Sequence, residues 1–234
     1  MKQILLLIPF LMIIPAYADS EFQNAQFGYS ISVPEGWVVD DQSFTSTSAD
    51  YDKLISTAAI YDKKEWTHYI EISFVENDNL ISNYSGAQYF KQVNAKLAEN
   101  CKDTTIELDG FQCINHAILG NKETTINGRQ AYQITDSWTE VYQDKTEIEF
   151  TSLITDIPMN NDVWNIEVYS IKQSFEQDKE KINSIIESFE ITEIPERIPD
   201  WIKDTMAWYL EGKVSEDEMI NALQFLIKEN VIVV

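Results

Sequence analysis

The chain has 234 residues, 44% of them hydrophobic, enough to bury a sizeable core in one domain with a small appendage. Its 39 acidic residues against 17 basic ones give a formal charge of −22. Such a surface repels phosphate, which excludes nucleic acid and anionic lipid as natural partners; it attracts cations, although solubility alone also accounts for the excess.

Residues 1–18 read as an export signal: Lys2 supplies the positive start, Ile4 to Pro15 the apolar run, and Ala16-Tyr17-Ala18 the small-x-small cleavage pattern. The run is short and broken by Pro9 and Pro15, so a membrane span of about 20 residues is not expected there. The expected product starts at Asp19 and is secreted or extracytoplasmic, without stable membrane insertion. In that setting Cys101 and Cys113, the two cysteines, read as a disulfide. Closing the loop Lys102 to Gln112 would contribute about 3 kcal/mol. The competing reading makes Cys113-x-x-His116 half of a metal site, but no second matching pair accompanies it.

Phe27, Tyr29, Ile31 and Val33 alternate with Gly28, Ser30 and Ser32, a period of two that places four apolar side chains on one face of a strand. Pro34 ends that strand, Glu35-Gly36 turns the chain, and Trp37 follows as a large anchor. Val38 to Asp52 is polar and reads as a surface loop. Its pairs Asp40-Asp41 and Asp50-x-Asp52 are candidates for a hard cation, without the spacing of a calcium loop.

Leu54 to Tyr61 and Thr67 to Val75 read as strands. In the second, His68 shares a face with Ile70, Ile72 and Phe74, the setting of a hydrogen-bonded core histidine. Asn83-Tyr84-Ser85 is a glycosylation sequon, while Ser85-Gly86-Ala87-Gln88 is also a capping box for a helix over about Gly86 to Glu99. Thr104 to Leu108 and Ile114 to Ile126 are expected to extend the sheet. Asn127-Gly128 demands a two-residue hairpin turn. The next strand, Arg129 to Tyr142, puts Tyr132, Ile134 and Trp138 on one face. Asp136 interrupts that face, either as a paired buried carboxylate or through register drift. Strands Thr146 to Thr155 and Val163 to Lys172 follow, then a helix with a capping box at Ser174 to Gln177 and Ile182, Ile185, Ile186 and Phe189 on its buried stripe.

Hairpins followed by helices predict an α+β domain, a central antiparallel β-sheet flanked by α-helices. Three pieces carry a resemblance: Phe27-Gly28-Tyr29-Ser30-Ile31-Ser32-Val33-Pro34-Glu35-Gly36-Trp37, Thr125-Ile126-Asn127-Gly128-Arg129-Gln130-Ala131-Tyr132, and Ile185-Ile186-Glu187-Ser188-Phe189-Glu190-Ile191. With these, the stretch from about Phe22 to Thr192 resembles the PsbP-like family, named for a protein of the photosystem II oxygen-evolving complex. The resemblance implies that same α+β fold and an accessory or scaffolding role at extracytoplasmic complexes. Calcium and manganese effects go with its photosynthetic members. The matching positions are turns and core residues, so no active-site motif transfers.

Residues 194–199 read as a stiff linker between a domain over 19–193 and a helical hairpin over 200–234. The hairpin's Ile198-Pro199-Asp200-Trp201-Ile202-Lys203, Trp208, Gly212, Ser215 and Leu226-Ile227 resemble a module of exported proteins of ammonia-oxidising archaea. Trp201, Trp208 and Tyr209 are its candidate partner-binding anchors; docking on its own domain is the alternative.

Gly-x-Ser-x-Gly, His-Glu-x-x-His and Gly-rich phosphate loops are all missing from the sequence. The expectation is therefore an exported non-catalytic binding or accessory protein with a protein partner at the cell envelope, no catalytic residues and no cofactor. A Ca²⁺- or Mn²⁺-binding protein, or a carboxylate-based hydrolase, is the alternative. A deep cleft where histidine, acid and hydroxyl converge is the observation that would contradict the first reading.

Overall fold

The computed structural model describes residues 20–41, 43–63, 67–192 and 208–228. The signal segment 1–18, the linker 194–199 and Trp201 lie outside the described residues. The chain divides into two compact units. One is built on Ile31–Phe189 with the described residues up to Phe22, the other on Gln23–Ser30 and the chain from Glu190 onward.

The first unit is an α+β body around one antiparallel sheet. Its strands are β3 (Trp37–Asp40), β4 (Phe44–Ser46), β5 (Lys53–Asp62), β6 (His68–Glu76), β7 (Phe111–Ile126), β8 (Arg129–Tyr142), β9 (Glu147–Met159) and β10 (Asp162–Ile171). They run in the order β3-β5-β6-β10-β9-β8-β7, with β4 pairing beside β3 on β5. The expected loop Val38 to Asp52 is thus corrected. Despite its polar composition it supplies two edge strands, β3 opposite Ala59 to Asp62 and β4 opposite Leu54 to Ser56. An edge strand has no second neighbour to demand apolar side chains.

The β7–β8 hairpin turns at Asn127-Gly128 as the sequence demands, with φ of 45° and 79°. Asn127 also donates from Nδ2 to the Phe189 carbonyl at 2.7 Å, which ties the turn to the end of the last helix of the unit. Between Cys101 and Phe111 the expected strand Thr104 to Leu108 is instead a single helical turn, α3 (Ile106–Asp109). Thr105 caps it and Gly110 closes it at φ 82°.

Both faces of the sheet are covered, because residues paired directly across strands share a face. On one face Trp164, Ile166 and Val168 of β10 lie beneath α4 (Lys172–Glu187), whose Phe175, Ile182, Ile185 and Ile186 are buried. Trp164 packs on Phe189, ring centroids 5.6 Å apart. The helix starts at Lys172 straight off β10, so Ser174 lies inside it. The expected capping box at Ser174 is replaced by an uncapped Ile171.

On the other face α2 (Gly86–Asp103) follows α1 (Asn79–Asn83), and its Tyr89, Phe90 and Val93 pack with Tyr132, Ile134 and Ile154. Ser85 holds the N-cap position of α2 without a side-chain capping bond, a second correction to the expected capping boxes.

β11 (Glu190–Ile191) pairs antiparallel with β2 (Tyr29–Val33), Glu190 opposite Ser30. With β1 (Ser20–Asn24) these form a sheet of order β1-β2-β11. Phe27, Tyr29, Ile31 and Val33 are all buried, and Ser30 is buried too, so the polar face of this strand is covered rather than open. A helical turn at 208–210 precedes Gly212, which sits at φ 71°. Then comes α5 (Glu216–Lys228). Ser215 and Glu218 form a capping box at its start, the Ser215 N–H donating to Glu218 Oε2 at 2.8 Å and the Glu218 N–H donating to Ser215 Oγ at 3.3 Å.

Candidate functional site

Where α2 leaves the sheet uncovered, a cavity of about 650 Å³ opens within the first unit. Leu80, Val93 and Leu97 line it from the helices, while Leu54, Val75, Phe111, Phe150 and Val163 line it from the strands. Its floor is polar, and the period of two says why. Asp136, Trp138 and Glu140 of β8, Ser152, Ile154 and Asp156 of β9, and Asn165, Glu167 and Tyr169 of β10 all project from one face of the sheet. Four carboxylates therefore stand on three adjacent strands under an apolar roof.

Asp136 is the residue that interrupts the apolar face in the sequence, and it is a paired buried carboxylate, 3% exposed. His116 Nε2 donates to its Oδ2 at 2.9 Å, and Ser152 Oγ donates to its Oδ1. The expectation that no cleft gathers histidine, acid and hydroxyl is thus corrected: this cavity gathers all three. Their order decides what they can do. A serine nucleophile needs the imidazole between hydroxyl and carboxylate, to take the hydroxyl proton. Here the carboxylate stands in the middle, and the hydroxyl hands its hydrogen bond to the acid rather than to a base.

The other three carboxylates face neutral donors. Glu140 accepts from Trp138 Nε1 at 3.1 Å and from the Tyr142 hydroxyl. Asp156 accepts from the Tyr89 hydroxyl and from Asn165 Nδ2 at 2.7 Å. Glu167 is bonded by the Tyr169 hydroxyl. Burial pushes Asp156 up to about 6 against the opposing hydrogen bonds of Asn165 and Tyr89. Burial likewise pushes Glu167 up to about 8, helped by the negative charges of Asp156, Asp136 and Glu71. The phenols of Tyr89 and Tyr169 are raised, first by burial and then by the carboxylate each one faces, and Tyr142 rises to about 12 for the same reasons.

His68 takes the opposite face of the sheet and is 2% exposed. Its Nε2 donates to Asp178 Oδ2 at 3.0 Å, which leaves Nδ1 to accept from Ser170 Oγ at 2.7 Å. This serine–histidine–aspartate linkage has the order of a triad, but Ser170 is 1% exposed and the Trp37 ring stacks on the imidazole at 5.5 Å. A substrate carbonyl has no approach to that hydroxyl. His68 is the bonded core histidine its place on an apolar face predicts.

Cys101 and Cys113 form a disulfide, Cα atoms 5.1 Å apart, joining the end of α2 to the start of β7 at the cavity wall. This corrects the competing Cys113–His116 metal reading, since a disulfide sulfur offers no thiolate and His116 is bonded to Asp136. The carboxylates singled out for a hard cation do not converge. Asp40 ends β3 and Asp41 follows it exposed, whereas Asp50 pairs with Lys96 at 2.7 Å and Asp52 accepts from Asn77 at 2.7 Å. Among the described residues no three His, Cys, Asp or Glu side chains are grouped to hold a metal ion. Asn83 is exposed at the end of α1, its Nδ2 donating to the Asn79 carbonyl at 2.7 Å. Trp208 and Tyr209 are 47% and 41% exposed.

Glu140, Asp156 and Glu167 were not legible as site residues, although a signal exists. Three successive strands alternate acids or amides with aromatic or aliphatic residues on the same parity, as in Asp136-x-Trp138-x-Glu140 and Asn165-x-Glu167-x-Tyr169. A solvated face has no need of the interleaved rings.

Fold and cavity together define the class: an α+β protein with helices on both faces of one antiparallel sheet and a ligand-sized cavity under one of them. No protein-family profile matches the chain, and no curated protein does. Among solved structures it is similar to cyanobacterial PsbP (CyanoP) from Synechocystis sp. PCC 6803, at 13% identity and a TM-score of 0.49 over 76% of this chain and 95% of that one. It is also similar to the Ran-binding protein Mog1p of Saccharomyces cerevisiae, at 11% identity and a TM-score of 0.40, covering 75% and 96% of the two chains. For LpqN of Mycobacterium tuberculosis, involved in cell envelope biogenesis, the values are 14%, 0.38, 75% and 91%. Likenesses this distant carry no chemistry across, and what the cavity can do follows from its own residues.

Proposed function

We propose that this chain is an exported, non-catalytic binding protein that serves as an accessory component of the extracytoplasmic space and holds a small ligand in the cavity under α2. One observation carries the reading. The cavity is large enough for a drug-sized molecule, yet the hydroxyls of Ser152, Tyr89 and Tyr169 on its floor are bonded to carboxylates and not to an imidazole, a set suited to holding rather than to attack. Trp138 lines the cavity and reports on it. A thermal-shift screen of small metabolites should return compounds that raise the melting temperature and change Trp138 emission, both responses lost or reduced in Trp138→Phe. Steady turnover of such a compound would overturn the reading.

A protein partner at the envelope is supported separately by the second unit, where Trp208, Tyr209 and Leu210 stand exposed beside Gly212. Exposed aromatic rings are the residues that dominate interface energetics. Cross-linking in native envelopes should give a defined adduct with the full chain, and Trp208→Ala with Tyr209→Ala should abolish it. An unchanged adduct would place the contact elsewhere.

A further inference from the structure

The cavity is short of positive charge. Among the described residues that line it the basic side chains are Lys96 and His116, and each is already matched, Lys96 by Asp50 at 2.7 Å and His116 by Asp136 at 2.9 Å. Glu140, Asp156 and Glu167 have only phenol, indole and amide donors. Such donors stabilise a carboxylate without neutralising it. In water this would be unremarkable, but Asp156 and Glu140 are 6% and 9% exposed and the walls above them are apolar. Around the same floor the rings are arranged face and edge. Trp138 stacks on Phe150 at 5.7 Å and meets Tyr169 edge-on at 6.3 Å. Ring faces next to uncompensated carboxylates attract a cation and the hydrocarbon attached to it, by the ring quadrupole and by area burial together.

Resting on the reading of this cavity as a ligand site, we propose that its ligand is an organic monocation, an ammonium group carried on an apolar body, seated with its charge between Asp156 and Glu167, whose carboxyl proton leaves to solvent as the cation takes its place, and with its body against Trp138 and Phe150. The same arrangement selects against the competing ligand classes. An anion would meet five carboxylates, Asp78 as well as the four of the floor. A neutral molecule of equal size would fill the apolar volume but leave the carboxylates as they are, still carrying protons or uncompensated charge. A divalent metal ion would leave most of the 650 Å³ empty and finds no preformed group of ligands among the described residues.

The test is a matched charge series on the full chain, with hexylamine, hexyltrimethylammonium, 1-hexanol and hexanoate titrated by calorimetry and followed by Trp138 emission. At least one of the two cations should bind ten or more times tighter than the alcohol, with hexanoate weakest. Glu167→Gln and Asp156→Asn should each reduce cation affinity at least tenfold while leaving the alcohol within about twofold. Glu167→Gln removes a half-buried acid and keeps its shape, so it is expected to fold, and the wild-type series needs no variant at all. Alcohol or hexanoate binding as tightly as the cations would overturn the cation proposal while leaving a ligand cavity. Binding of none of the four, with metabolite screening also blank, would overturn the cavity reading itself.

Discussion

At the scale of single residues the cavity floor makes two predictions. Glu167 has its acid strength lowered by burial, from an ordinary 4.5 to about 8, and Asp156 moves the same way to about 6. An acid whose folded value lies above its unfolded one holds a proton in the native protein that the unfolded chain has released. Its contribution is therefore complete below the unfolded value and is lost as pH rises through the folded value. The melting temperature should fall between about pH 4 and 8, and Glu167→Gln should flatten the upper part of that fall. A wild-type slope unchanged in the variant would remove Glu167 as its source. The second prediction concerns His116, which donates to a carboxylate 3% exposed. His116→Ala should cost about 2 kcal/mol in urea unfolding, because it strips a buried charge of its donor. Asp136 was visible in the sequence as a break in an apolar face, but its partner was not. β7 slips register between Ile114 and Ala117, with Asn115 at φ 56°. His116 sits within that slip, where a period of two no longer says which face a side chain takes.

At the scale of elements, what is local in its chemistry is legible and what depends on a neighbour is not. Asn127-Gly128 tolerates positive φ by itself, and the turn forms as read. Ser215 and Glu218 cap α5 with each other's groups, both partners lying within one turn. Ser174 carries the same signature and does not cap, since the strand before it runs on to Ile171 and the helix begins at once. The edge strands β3 and β4 are not legible in the sequence because their pairing is supplied by β5 and not by their own composition. The disulfide belongs at this scale too. It pins the last turn of α2 to β7 across twelve residues. Replacing both cysteines by serine should cost about 3 kcal/mol by loop entropy, read as a lower urea midpoint with a slightly steeper slope, because the unbridged unfolded chain is more expanded. It should also loosen the cavity wall, so cation binding should weaken along with stability. On the opposite face, Phe175→Ala removes a ring 1% exposed from the packing of α4 and should cost about 4 kcal/mol, without altering the charge selectivity of the cavity.

At the scale of the whole molecule the formal charge of −22 determines how any cation effect must be read. A strongly anionic protein gains stability from added salt of every kind, because screening relieves self-repulsion. Stabilisation by Ca²⁺ or Mn²⁺ is therefore not by itself a sign of a site. The described carboxylates outside the cavity are spread over loops, strands and helices, and Asp50 and Asp52 are engaged with Lys96 and Asn77. A bound ion would need several of them together, with oxygens at about 2.4 Å for calcium. The expected outcome is that melts in millimolar Ca²⁺, Mn²⁺ and Mg²⁺, matched for ionic strength with NaCl and compared with an EDTA control, rise by the same small amount in all three. A saturable rise confined to Ca²⁺ or Mn²⁺ would reveal a native-state site, since an ion bound only by the folded chain stabilises it in proportion to the logarithm of its concentration over its dissociation constant. Hexylamine in the same series supplies the contrast. If it acts through the cavity, it should raise the melting temperature further than an equal concentration of Na⁺, and that excess should vanish in Glu167→Gln.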